Sequence, residues 1–373
     1  MKIALIYDRV NKFGGAERVL LALHQLWPNA PLYTAVYNPP TAPWAKSFDV
    51  QPSWLNKLPL AKTHHELYPW LTPLAFESFK LDDYDVVISI TSAEAKAVIT
   101  QPSTLHICYC LTPTRYLWSH HQQYLDSPGL GAWSRLGKPV FKLTKSQLKK
   151  LDLHLASRPD KYLAISKTVQ ARIKQYYHRS SEVIYPPVDF AKFSQPSTIK
   201  YQPPAANYFL LVSRLTSYKQ ISLAISAFNQ LKQNLIIVGS GREQGRLKRL
   251  AGPFIHFLNQ VPDNHLVYLY QHSQALIMPQ LEDFGIVALE AQAAGKPVIA
   301  LQAGGALETV IANKTGLFFK SSTVDSLIQA VKQFKSRSWD KKAIQAQAKN
   351  FDTKFFKQQF KNYLETQWQK HQP

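Results

Sequence analysis

Apolar positions fall in short unbroken runs, separated by longer stretches with helical spacing. In the first half the runs are 2–7 (KIALIY), 85–90 (DVVISI), 105–109 (LHICY) and 161–165 (KYLAI). In the second half they are 208–213 (YFLLVS), 235–239 (LIIVG), 275–278 (ALIM), 297–301 (PVIAL) and 316–319 (GLFF). Several lack polar alternation, which marks strands covered on both faces. Such strands alternating with helices predict βα units around parallel sheets. Helix is expected again at 324–335 and 352–371, and the proline-rich stretch 186–206 reads as a linker. The expected fold is α/β, with two doubly wound domains facing across a cleft. Residues 1–187 form the first domain, 188–206 the linker and 207–350 the second domain; 351–373 form a helix returning towards the first domain.

Composition narrows the function classes. The chain has 373 residues, 45% of them hydrophobic, enough for two cores. No apolar stretch approaches the roughly 18 residues needed to span a bilayer. The first run stops at Asp8 without a small-residue cleavage site, so it reads as a strand and the expected location is cytoplasmic. Two cysteines, Cys108 and Cys110, exclude a disulfide framework or a structural zinc site and read as buried thiols.

The net charge is +20, spread over both halves. It suits a nucleic acid, an anionic membrane surface or a phosphorylated substrate alike. No helix-turn-helix, zinc-finger or RNA-recognition signature supports the first. Residues 135–179 carry twelve Lys or Arg against Asp152 and Asp160. Pro139 is placed to open a helix there. Lys142, Lys145 and Lys149 then share one face, and Phe141, Leu148, Leu151 and Leu155 another. Such a helix is either a core-facing element with a solvated outside or a basic face that docks on anionic lipid.

Three stretches carry candidate chemistry. Glu282 to Glu290 (EDFGIVALE), followed by AQAAGKPVI, reads as loop, helix, glycine stop and buried strand. A helix opening near Gly285 presents free N–H groups suited to phosphate. Glu282 on the loop and Glu290 inside the helix would flank that seat with hydroxyl-accepting carboxylates. The alternatives are a solvated loop carboxylate and a helix-surface residue. Arg214 and Lys219 follow the run 208–213, at a strand end where open α/β sheets bind ligands, and could neutralise a diphosphate. The alternative is a pair of surface cations. Gly239-Ser240-Gly241 has the wrong spacing for a dinucleotide fingerprint and reads as a structural turn. Gly14-Gly15 forms another strand-to-helix turn that a phosphate can approach closely.

Taken in order, GGAERV (14–19), VIYPPVD (183–189), Leu211–Lys219 and EDFGIVALEAQAAGKPVIALQAGGALETV (282–310) resemble the retaining GT-B glycosyltransferases of family 4. The likeness covers nearly the whole chain. It leans to bacterial O-antigen and exopolysaccharide mannosyltransferase-like members, for which CYC (108–110) and TPTRYLW (112–118) have counterparts. The resemblance implies two Rossmann-like domains and a nucleotide-sugar donor, GDP-mannose first. The acceptor would be a glycan or a polyprenyl-diphosphate-linked glycan at the inner face of the membrane, with no nucleic acid, cofactor or metal. The same fold with a UDP-sugar, or a non-catalytic nucleotide-sugar or glycan binder, is the alternative.

In residue terms, Arg214, Lys219 and Glu282 would be catalytic. Gly14, Gly15, Phe284, Gly285, Ile286, Val287 and Glu290 would complete the donor seat, with Glu282 on the sugar and Glu290 on the ribose. Arg115, Tyr116 and Trp118 would meet the acceptor. Three positions depart from the family pattern: Leu111 replaces a common His, Gln220 a common Gly after the signature Lys, and Asn259 another Gly. Asn at 259 is expected to preserve a left-handed backbone.

Overall fold

The computed structural model describes residues 1–119 and 134–372. They form two compact units. The first comprises Met1–Tyr185 and the chain from Phe356 onward; the second is Pro186–Phe355.

In the first unit the strands are β1 (Ile3–Tyr7), β2 (Leu32–Thr34), β3 (Val50–Pro52), β4 (Val86–Thr91), β5 (Leu105–Cys110), β6 (Lys161–Ala164) and β7 (Glu182–Val183). They pair in parallel in the order β3-β2-β1-β4-β5-β6-β7. Strands β1, β4 and β5 are buried along their whole length, as their unbroken apolar runs require. The order reverses between β1 and β4, which opens a crevice at their carboxyl ends. The terminal helix Thr353–His371 turns Phe356 and Phe360 inward, where both rings meet Tyr109 edge-on.

The helix Ser134–Ala156 corrects one expectation: it opens before Pro139, which lies inside it and contributes no N–H to the ladder. Leu148 and Leu155 are buried and Leu151 packs beside them. The Lys149 ammonium stands 4.4 Å from the centre of the Trp118 ring. The side chains of Phe141 and Lys142 lie outside the described residues.

The second unit holds β8 (Phe209–Val212), β9 (Leu235–Val238), β10 (Ile255–Leu258), β11 (Leu276–Met278), β12 (Val298–Leu301) and β13 (Gly316–Phe319). All pair in parallel, in the order β10-β9-β8-β11-β12-β13. Its core lies between this sheet and the helices Ile221–Leu231 and Val324–Lys335. Here the reversal falls between β8 and β11. Both units are therefore doubly wound parallel sheets. The stretch expected as a plain linker contains a short helix, Phe190–Ser194, because Asp189 caps it and Phe193 is fully buried. Among the described residues no helix is long and apolar enough to cross a membrane.

Candidate functional site

Three sequence-derived residues of the second unit lie on the loops at its reversal point. Arg214 and Lys219 lie on the loop after β8, and Glu282 on the loop after β11. Lys219 Nζ pairs with Glu282 Oε1, although 63 positions separate the two. Adjacency of β8 and β11 brings them together, which no linear spacing announces. Gln280 Nε2 donates to the same carboxylate oxygen at 2.6 Å. Both partners of the ion pair are largely buried, with 11% and 13% of their side chains exposed. Arg214, by contrast, is exposed, and its guanidinium donates to Tyr218 Oη at 3.1 Å.

The helix Ile286–Ala293 opens at Gly285, as its sequence predicts. Gly285 has φ +86°, a left-handed backbone that favours glycine, and supplies no side-chain cap. The first N–H groups of this helix, at Ile286 and Val287, are thus left to whatever approaches the loop. The Phe284 ring turns inward and packs 5.9 Å from Phe351, so this residue offers its backbone rather than its ring. Glu290 is only 1% exposed, and its Oε2 accepts from Tyr270 Oη at 2.8 Å, which rules out the helix-surface reading. Tyr270 and Gln280 orient the two carboxylates, yet neither carries a motif that would single it out in the sequence.

Two glycine pairs explain how the loops approach so closely. A Cβ at Gly239 would collide with the Ser213 carbonyl, and one at Gly241 with Leu215. Leu215 N donates to Ser240 O at 2.9 Å, so the turn after β9 braces the loop bearing Arg214. Likewise, Gly304 and Gly305 sit against Glu282 and Phe284, and Gly305 N donates to Glu282 O at 2.8 Å.

Gln220, where the family pattern has glycine, does hold a left-handed backbone at φ +52°. Asn259 does not, which corrects the expectation made for it; its side-chain oxygen accepts from Gln244 at 2.7 Å instead.

The remaining sequence-derived residues lie in the first unit. Gly14 caps and Gly15 begins the helix Gly15–Leu26, whose first-turn Glu17 is buried and accepts from Tyr7 Oη at 2.6 Å. At the reversal point of this sheet Asp8 receives Thr91 Oγ1 at 2.6 Å and the Ser92 and Ala95 N–H groups at 2.8 and 2.9 Å. Tyr116 Oη donates to Glu94 at 2.7 Å. Burial raises the pKa of this carboxyl, against the pull of Arg9.

Trp118 Nε1 donates to Asp152 at 2.7 Å, and its ring stacks on Tyr176. Asp152 also holds the buried Lys96 at 2.7 Å. Burial works against the Lys96 charge, but Asp152, joined by Tyr162 and Glu94, lifts the pKa above the ordinary lysine range. The polar atoms of Tyr116 and Trp118 are thus engaged within the unit. Arg115 and Leu111 are half-buried, Leu111 directly after β5.

Comparison with known proteins fits this geometry. Residues 198–351 match the family model described as glycosyl transferases group 1. The chain is 37% identical over 131 residues to the GDP-mannose-dependent monoacylated alpha-(1-6)-phosphatidylinositol monomannoside mannosyltransferase of Corynebacterium glutamicum, covering 31% of this chain and 34% of that protein. It is 23% identical over 207 residues to an uncharacterized glycosyltransferase of Methanocaldococcus jannaschii, covering 54% and 57%. The chain thus spans about a third to just over half the length of these curated relatives. Anabaena HepE in complex with UDP-glucose superposes with a TM-score of 0.71 at 20% identity, covering 98% of this chain and all of that one. The chain has the GT-B fold, and its residues 198–351 match the group 1 glycosyl transferase family model.

Proposed function

We infer that the protein is a retaining glycosyltransferase. Its donor is a nucleotide sugar, GDP-mannose first, and its acceptor is a glycan or polyprenyl-diphosphate-linked glycan at the cytoplasmic face of a membrane. The observation that carries this reading is the Lys219–Glu282 pair at the reversal point, beside the uncapped helix at Gly285. GDP-mannose is favoured because several relatives at 33–37% identity, over about a third of the chain, are named for it.

In this reading Arg214, Lys219 and the Ile286 and Val287 N–H groups hold the donor diphosphate. Glu282 takes the sugar hydroxyls and Glu290 the ribose. As the bond from the sugar's anomeric carbon to the diphosphate breaks, negative charge grows on the departing oxygen. Fixed cations and a helix N-terminus stabilise that charge without requiring a metal ion. The acceptor oxygen bonds to the same face of the sugar, and its proton passes to the leaving phosphate, which retains configuration. Gly14 and Gly15 are assigned to the donor, and Arg115, Tyr116 and Trp118 to the acceptor. Leu111, in place of the common His, favours one second reading: a binder of nucleotide sugar without turnover.

The test is a panel of nucleotide sugars scored for binding and for transfer or hydrolysis. GDP-mannose should bind and turn over. Glu290→Ala should weaken free nucleotide and donor alike, whereas Glu282→Ala should spare free nucleotide and cut transfer. Equal loss of free-nucleotide affinity in both would refute this division of roles, and binding without turnover would select the second reading.

A further inference from the structure

Among the described residues thirteen large apolar side chains are exposed, and five fall within 54–74: Trp54, Leu60, Leu67, Trp70 and Leu74. The same stretch also supplies an inner face. Leu55 and Ala61 are buried in one core cluster, which Ala75 and Phe76 just beyond the stretch also join, with Leu58, Tyr68 and Leu71 packed against it. A surface segment that is apolar on both sides calls for a second non-aqueous neighbour. It is also held as one piece. The turn Trp54–Lys57 packs against the helix Leu71–Glu77, and Tyr68 Oη donates to the Pro59 carbonyl at 2.7 Å. Leu60 is the most exposed of the five at 63%, and its φ of +58° places a leucine in left-handed backbone. His64 N fixes that turn by donating to the Leu60 carbonyl at 2.7 Å.

We propose that residues 54–74 are a membrane-docking surface, which sets these five side chains into the interface of an anionic bilayer. Trp and Leu suit that boundary, where a ring keeps one edge wet and an aliphatic chain reaches the acyl region. Charge selects lipid over a second copy of the chain. At +20 two copies repel, whereas an anionic leaflet attracts. Lys57 and Lys62 are exposed within the stretch, and Glu66 is its one acidic residue. Pro69 and Pro73 share a crevice with Leu148, Leu151 and Leu155, which brings the lysine-bearing helix Ser134–Ala156 beside the apolar stretch. The inference rests on the lipid-linked acceptor proposed above for its purpose, but vesicle binding needs no donor and so fails or succeeds separately.

The full chain should sediment with phosphatidylglycerol-containing vesicles and not with pure phosphatidylcholine. The triple variant Leu60→Ser, Trp70→Ser, Leu74→Ser should bind at least tenfold more weakly. A milder probe guards against misfolding: Leu60→Cys labelled with a polarity-sensitive fluorophore, the native Cys108 and Cys110 being buried. Its emission should shift to the blue on anionic vesicles, while the same label at Lys332→Cys on the second unit should not respond. Wild-type binding by the triple variant, or no shift at position 60, overturns the proposal. So does a wild-type dimer that ignores vesicles and becomes a monomer in the triple variant, which would assign the surface to a second copy.

Discussion

Replacing Lys219 with Met tests whether its pairing with Glu282 holds the two loops of the second unit together. Lys219 is close to Met in length, so the change removes charge and hydrogen bonding more than volume. It leaves the Glu282 carboxylate, 13% exposed, with the Gln280 amide as its partner at 2.6 Å. Removing one member of a fully buried pair costs about 3–5 kcal/mol. The residual exposure and the Gln280 bond bring the expected loss here to about 2–3 kcal/mol. In Lys219→Met/Glu282→Gln the orphaned charge is gone, so most of that loss should return, giving a coupling of about 1–2 kcal/mol.

Two units need not unfold together, so the readout is hydrogen exchange at β8 and β11 amides in the full chain. Nucleotide binding supplies a second arm. Because Glu282 neutralises Lys219, Glu282→Gln should bind free nucleoside diphosphate at least as tightly as wild type, while Lys219→Met should bind it more weakly. A Lys219→Met chain with unchanged exchange at both strands, or a double variant no better than the single, would show that the pair does not join the loops.

Arg214→Ala removes an exposed cation from the donor loop, and turnover should fall on the order of a hundredfold in steady-state transfer assays, the usual cost of a lost transition-state contact. Gln220→Gly should be tolerated or slightly stabilising in thermal melts, and Gln220→Val destabilising, because φ at this position is +52°. His106 is buried against Ser89, with its pKa held down at about 3 by burial and by Arg158, against an ordinary value of 6.5. Its stabilising effect is complete above pH 6.5 and lost as pH falls from there towards 3, about 2 kcal/mol by pH 5; exchange at β4 and β5 should show that slope, and His106→Gln should flatten it. Leu111→His should raise turnover or change donor preference across the nucleotide-sugar panel, and an unchanged, folded variant would show that the position does not meet the donor.

Most strands readable from sequence have a strand on either side, such as β1, β4, β5, β8 and β12, because full burial leaves an unbroken apolar run; the edge strand β13 is legible too because three of its four residues are buried. Four strands gave no such signal. Strands β2 and β3 are three residues long, and β3 is mostly exposed and ends in Pro52. Strand β7 has two residues, and β10 is an edge strand with His256 in it and only Ile255 fully buried. The candidate site divides in the same way. Glu282, Gly285 and Glu290 share one loop-helix element and can be read together. Their partners Lys219 and Tyr270 come from elements that become neighbours only when the sheet order is known.

The two positions where this chain departs from a family glycine show what a motif can and cannot report. A pattern that places glycine at position 220 describes a backbone need, and Gln220 meets that need at a cost rather than removing it. A pattern that places glycine at 259 describes something else, because Asn259 keeps its φ out of the left-handed region. Close approach is the other reason for glycine. At Gly241 and Gly305 the φ is not left-handed, yet a Cβ would strike Leu215 and Phe284. These contacts press the loops after β9 and β12 onto those after β8 and β11, the loops that bear Arg214 and Glu282. Precision at this site therefore comes from backbone packed on backbone, which explains how two short loops can hold an ion pair of such low exposure without a long supporting element.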